Sequence, residues 1–562
     1  MMTKNRAWLC SFVVLALGVW HFLDIQSAIL ESGDKWLVYW YGGLLLVVFT
    51  GLGLLYKLLK EDSKKSLESI YLAAGLFFGI LYLLVLPPLS APDEISHYIS
   101  GYQLSSRLLG KPSNSVTGHV LVRAEDMWLE DINGSYQYGL SEDNYLQPIP
   151  ESTEHANVLG RTLTEETYKV IRQQLWKKLY PDITGQESEQ LYSDIGVEPK
   201  NLQQVMVVSP YPPVNTTPIA HFPQALGIAL CRIFHLNTVL LIFCGRLCNL
   251  LFFIMMTYLS MKRLPFGKEV LFGVSLLPMT LHLAASFSYD AMILGCMFYL
   301  TAICLDLAYE KEKVRFKDVA VLAILMAAAG PCKMVYGVLM GLCLLIPVKK
   351  FGSWKNWVLA AMAVVLAWVL AMGMVNSQTI ITYATETQSN VPWADEAGYS
   401  LNLLIHHPIQ TIRMFYQTLL LQAEHYHLTM IGAYLGNLDE VLNVPYLVVI
   451  LFTICLFLLA MKKPEENQRI PLNGRIWVAI LCAGCGAAIM LSMLIAWTPL
   501  SSPIISGVQG RYFLPFLPIL LICCKNNFII LTKNQNRSIL YLMCCANGYV
   551  LLRLFSIVSM RL

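Results

Sequence analysis

Apolar residues run along most of this chain in long uninterrupted stretches, with polar residues gathered in the intervals between them. A membrane-spanning helix needs about 20 mostly apolar residues, and the segments 36–56, 67–86, 239–261 and 444–461 reach that length with few or no charges. The runs are continuous and end at basic residues, whereas barrel strands would alternate in polarity over about ten residues. The pattern predicts an all-α polytopic membrane protein with about 13 transmembrane helices.

Basic residues in short loops mark the cytoplasmic side of a membrane protein. Placing the clusters at 4–6, 57–65, 262–268, 311–317, 349–355, 462–463 and 533–537 inside leaves 90–239, 286–290, 330–333, 376–443 and 498–511 outside. This solution requires 219–234 to lie along the interface, as its interruption by Pro223, Arg232 and His235 suggests. The apolar runs 319–329 and 334–346 are short, and Gly330-Pro331-Cys332-Lys333 separates them; such a break is tolerated where backbone lines a polar cavity. The first large loop is expected to be mixed α and irregular, with an amphipathic helix near 165–179. The segment 1–30 reads as a retained first helix, because no small-residue cleavage site follows its apolar run.

Composition agrees: 56% of the 562 residues are hydrophobic and 14% charged. A net charge of +3 gives no reason to expect nucleic acid as a partner. The fifteen cysteines lie on apolar stretches, with none between Ser90 and Pro218 or between Asn376 and Asn443, so no disulfide is expected in the large loops.

Candidate chemistry gathers at three places. After the third apolar run comes Pro92-Asp93-Glu94-Ile95-Ser96-His97, where Pro92 suits a first helical turn and the acids complement its positive end. Asp93 and His97 share a face at i, i+4 spacing, and Asp93 suits a general base with Glu94 and His97 beside it. Ser286-Phe287-Ser288-Tyr289-Asp290 puts a second carboxylate at a helix mouth on the same side. A D-x-D spacing is absent, so no metal is assigned, although a divalent ion such as Mg or Mn stays open. Gln509-Gly510-Arg511-Tyr512 places a guanidinium before another span, suited to clamping a phosphate, with Gly510 allowing close approach of backbone. Lys333 and Arg246 can add to that site, and His221 and Tyr211 can line an acceptor groove. His406, His407, Glu424, His425 and His427 invite a metal reading, but a two-residue spacing on a helix separates ligands rather than converging them.

Pro92–His97, together with Pro223-Gln224-Ala225-Leu226-Gly227, Gly245-Arg246-Leu247-Cys248-Asn249, Ser286–Asp290 and Gln509-Gly510-Arg511-Tyr512-Phe513-Leu514-Pro515, resembles a large family of uncharacterised bacterial membrane proteins, domain of unknown function 2142. One departure is Leu89-Ser90-Ala91 between the prolines and Asp93. That family in turn looks like the GT-C glycosyltransferases, and the Pro-Asp-Glu string is similar to that of eukaryotic lipid-dependent mannosyltransferases. The resemblance implies two added helices over 1–66, a catalytic module over 67–350 including the loop 89–237, and C-terminal helices over 351–562 with loops at 376–442 and 498–511.

By the same resemblance, Asp93 is the base that deprotonates an acceptor hydroxyl. Arg511 and Lys333, with Arg246, Tyr512 and Gln509, contact the donor phosphate, and His221, Tyr289, Asp290 and Tyr211 contact substrate. The implied activity is inverting transfer of a sugar from a polyprenyl phosphate to a cell-envelope glycan or glycolipid, at the plasma membrane. A transporter or flippase of lipid-linked glycan, and a non-catalytic assembly scaffold, are the rival readings. A flippase predicts ionisable residues near helix centres, whereas here they gather at helix ends.

Overall fold

The computed structural model describes residues 4–33, 35–60, 63–123, 126, 136–140, 145–150, 206–214, 216–385, 389–391, 393–438, 442–464, 466 and 469–559. The helix expected near 165–179 lies outside the described residues. Helices α1 (Lys4–Ser32), α2 (Trp36–Leu59) and α3 (Leu67–Val85) open the chain. α3 stops because Leu86 is extended ahead of Pro87-Pro88, and the residue before a proline disfavours the helical region. α4 (Glu94–Leu108) follows, and strands β1 (Leu121–Arg123), β2 (Tyr136–Leu140), β3 (Leu146–Pro150) and β4 (Met206–Val208) form a sheet in the order β1-β4-β3-β2.

β1 and β4 pair antiparallel, as do β2 and β3, while β3 meets β4 in parallel at Leu146 and Val207. The large loop thus carries a sheet where mixed α and irregular structure was expected. Its strands are three to five residues long, and the two that pair most centrally are far apart in sequence, so periodicity along the chain had nothing to register.

Helix α5 (Phe222–Ile233) begins with proline in its first turn and has 12 residues, about 18 Å, too short to cross a bilayer. Ile219, Phe222, Leu226, Leu230, Ile233 and Phe234 are exposed, while Gln224, Gly227 and Arg232 face inward. An apolar stripe open on one side and a polar, buried face on the other fit the interfacial placement inferred for 219–234.

The centre is built by α6 (Thr238–Arg263), two short helices α7 (Lys268–Ser275) and α8 (Pro278–Ala284), and α9 (Asp290–Leu305). The side chain of Asn237 caps α6 by accepting from the Leu240 amide at 2.9 Å. α9 is buried on nearly every side, as expected of a helix apolar all round, so its first residue, Asp290, sits at the middle of one end of the bundle. α10 (Phe316–Ala329) and the 3-10 segment Met334–Leu345 flank the Gly-Pro break, with α11 (Trp354–Thr385) packed beside α10. A hairpin of β5 (Ser389–Val391) and β6 (Glu396–Gly398) precedes α12 (Leu401–His406) and α13 (Pro408–Ile431). α14 (Tyr446–Ala460), α15 (Leu472–Trp497), α16 (Leu517–Cys523) and α17 (Asn536–Ser559) complete the chain.

Among the described residues, 8 helices have the length and apolar character to cross a membrane: α1, α2, α3, α6, α9 with its continuation to Glu310, α11, α15 and α17. α14 and the segment Met334–Leu345 are apolar but shorter. Contacts sort the loops into two ends. Arg537 donates to the carbonyls of Leu58, Lys60, Ser63 and Lys65, Lys268 pairs with Glu68, Lys462 bonds Asn527, and Lys350 caps Leu307 and Ala308. Lys525 pairs with Glu269 and Glu466, and Arg263 with Asp306 and Asp318, which ties these groups together, so the basic loops share one end. Most of the residues singled out for chemistry lie at the other, around Asp290 at the start of α9.

Candidate functional site

The site begins with a loop held by its backbone. Residues 285–288, which join α8 to α9, are bonded by side chains from three other segments. Arg246 Nε donates to the Ala285 carbonyl at 2.8 Å, and Asn249 Nδ2 to those of Ser286 and Ser288 at 2.7 and 3.0 Å. Gln224 Nε2 donates to the Phe287 carbonyl at 3.0 Å, and the Phe287 amide donates to Glu94 Oε1 at 2.9 Å. Glu94 Oε2 also accepts from the Ala91 amide at 2.9 Å, closing the first turn of α4, and Arg246 Nε stands 3.7 Å from Glu94 Oε1. Burial pushes the Glu94 carboxyl up, against the opposing pull of Arg246 and the backbone amides of Ala91, Phe287 and Ser90.

Glu94 and Arg246 are buried and engaged behind this loop, so they hold it in place instead of facing the open site. Gln224 and Asn249, which complete the cradle, were in view only as members of sequence motifs. An amide side chain on an apolar helix was the available signal, because such a group must find a partner once buried.

The cradle aims Tyr289 and Asp290 at the opposing segments. Asp290 Oδ2 accepts from Arg511 Nη1 at 2.9 Å, and Asp290 Oδ1 lies 3.4 Å from Lys333 Nζ. Arg511 Nε donates to Gln509 Oε1 at 2.5 Å, and Lys333 lies over the Tyr512 ring at 3.8 Å from its centre. The Tyr336 hydroxyl donates to the Tyr512 carbonyl at 2.9 Å, fixing that turn. Lys333 reaches the cluster because the Gly-Pro break frees it from a regular helix.

Asp93 completes the arrangement. It caps α4 with φ of 56°, a left-handed conformation that costs a non-glycine residue about 1 kcal/mol or more. Its side chain is 77% exposed and stands 3.9 Å from Arg511 Nη2, whose own side chain is 4% exposed. A pocket of about 200 Å3 lies here, lined by Asp93, Ser96, His97, Pro213, Val214 and Tyr289. His97 Nδ1 and His221 Nε2 are 2.9 Å apart, and Tyr289 meets both rings edge-on. Burial holds both imidazoles below their ordinary value, His221 at about 3; for His97 the neighbouring His221, Arg511 and Lys333 act in the same direction.

The structure thus brings together Asp93, His97, His221, Tyr289, Asp290, Lys333, Gln509, Arg511 and Tyr512. Tyr211 packs instead in a small core beneath the sheet with Tyr98, Val120 and Val207. Gly510 makes its close approach to α13: its amide donates to Thr429 Oγ1 at 2.8 Å, and a Cβ there would lie 1.8 Å from the Tyr426 carbonyl oxygen. Of the α13 histidines, His427 bonds Thr453 Oγ1 at 2.8 Å. Among the described residues, no three His, Cys, Asp or Glu side chains gather as a metal site.

No curated protein and no solved structure matches the chain. Residues 76–520, which hold every group of the cluster and its cradle, match one family throughout, and the chain is a member of that family, described as "Predicted membrane protein (DUF2142)".

Proposed function

We propose that this chain is a GT-C-like glycosyltransferase, crossing the membrane about 13 times, that moves a sugar from a polyprenyl-phosphate donor to an envelope acceptor. The observation that carries the proposal is the position of Asp93: an exposed carboxylate in a strained backbone, 3.9 Å from a buried guanidinium that Asp290 joins to Lys333. A left-handed residue whose carboxylate stays open beside a buried cation is an outlier from which a functional hypothesis is drawn. In this reading the site end faces the outside of the plasma membrane, since the basic loops share the opposite end. A polyprenyl phosphate stays at headgroup level, which is where an interfacial α5 and a cationic cluster at helix mouths would meet it.

An inverting displacement needs one base and a stabilised leaving phosphate. Asp93 accepts the proton of the acceptor hydroxyl as that oxygen attacks the anomeric carbon, and Arg511 and Lys333 receive the charge that develops on the departing phosphate. Asp290 holds the two cations and keeps a buried charge from standing alone. Gln509 and Tyr512 orient them, and Glu94 and Arg246 act from behind by fixing the 285–288 loop.

The test is transfer from a radiolabelled polyprenyl-phosphate sugar by purified protein in nanodiscs. Asp93→Asn is expected to lower turnover by about 100-fold or more while leaving the folded protein intact. Full turnover in that variant removes the base assignment, and movement of the labelled lipid across the bilayer without transfer would favour a flippase.

A further inference from the structure

Resting on the glycosyl-transfer reading, we infer that His97 and His221 form the proton store of this site, taking up one proton when a phosphate monoester dianion occupies Arg511 and Lys333. The geometry requires the pair to share. With 2.9 Å between His97 Nδ1 and His221 Nε2, one hydrogen fits between the nitrogens, so one ring donates and the other accepts. At least one imidazole is then neutral, and the pair has room for a proton. His97 opens onto the same pocket as Asp93 and Ser96.

The charges facing the pair set when that proton arrives. Lys333 and Arg511 stand opposite the carboxylates Asp290 and Asp93, with the neutral rings of Tyr289 and Tyr512 between and beside them. Without a bound anion, burial first and then the two cations beside His97 disfavour positive charge on imidazole. A phosphate dianion bound across them reverses the local field and favours it.

The reaction supplies both events together. The bond from the anomeric carbon to the phosphate oxygen breaks, with its electron pair leaving on the lipid phosphate, which changes from a monoanionic diester to a dianionic monoester. The bond from the acceptor oxygen to the anomeric carbon forms, and the hydroxyl proton passes by way of Asp93 to the imidazole pair. The dianion beside the pair lifts an imidazole back from its buried, depressed value toward its ordinary one, where it keeps near neutral pH a proton that a carboxylate passes on. The store thus holds one positive charge beside the new negative one until the lipid phosphate departs.

Proton uptake on binding is measured by titrating the full chain in nanodiscs with farnesyl monophosphate, by calorimetry in buffers of differing ionisation enthalpy near neutral pH. The wild type is expected to take up a substantial fraction of one proton more than His97→Asn and His221→Asn, with the ligand's own titration cancelling in the comparison. Binding with the same proton count in all three overturns the store and leaves the phosphate site standing. Failure of the wild type to bind overturns the phosphate reading, and the store with it. If either variant does not fold, the wild type decides alone: a count no greater than the ligand's own titration overturns the store. Inorganic phosphate in place of the lipid separates a site that reads charge alone from one that needs the chain, and uptake is expected with whichever binds.

Discussion

Asp93 carries two separable consequences of one backbone angle. A side chain at φ of 56° is strained, and glycine relieves the strain because it lacks Cβ. Asp93→Gly is therefore expected to keep or raise thermal stability, by up to about 1 kcal/mol, while turnover falls as in Asp93→Asn. Differential scanning measurements beside the transfer assay decide it, and a clear loss of stability would mean that the carboxylate itself holds the fold. At this scale the sequence spoke clearly. Pro92 ahead of two acids marked a helix start, and Arg511 and Lys333 stood out as charges beside apolar runs. Spacing singled out Asp93 through the face it shares with His97, but the separate task of Glu94 was hidden, since it depends on which way the helix turns that carboxylate. One points to the open site and the other takes two backbone amides.

Among elements, two of the closest approaches to backbone fall at Gly510 and Gly227. A Cβ at Gly510 would meet the Tyr426 carbonyl at 1.8 Å, and one at Gly227 would meet the Cys244 carbonyl at 2.4 Å, in both cases helix backbone that cannot swing aside as a side chain would. Gly510→Ala is expected to push α13 away from the turn that carries Arg511, costing about 1–3 kcal/mol and lowering transfer at least tenfold. A melting temperature and turnover equal to wild type would show that this packing is dispensable. The glycine was legible as a demand for close approach, but what approaches is a distant helix, and nothing in a linear string identifies that partner. The sheet escaped for the same reason: strands of three residues leave too little period to read.

For the molecule as a whole, the paired imidazoles of His97 and His221 tie stability to pH. Burial disfavours their charged form in the folded protein, so the unfolded chain binds more protons below the ordinary histidine value of 6.5. Stability is accordingly full above that pH and falls as the solution is acidified toward the folded value of about 3 for His221, with a slope of at most about 1.4 kcal/mol per unit for each histidine. Melting temperatures in nanodiscs from pH 7 downward should show this decline, and His97→Asn with His221→Asn should make it shallower. An unchanged slope in the double variant would place the acid sensitivity elsewhere.

What the sequence determined by itself follows from solvent and period. Long apolar runs demanded helices in lipid, basic loops divided the connections into two groups, and polar residues crowded at helix ends stood out as a candidate site. The tertiary structure decided which of those residues meet. Asp290 comes within reach of Arg511 across 221 positions and His97 within reach of His221 across 124. Such meetings depend on how helices pack around α9 and on a loop suspended by Gln224, Asn249, Arg246 and Glu94, and packing is a property of surfaces brought together in space.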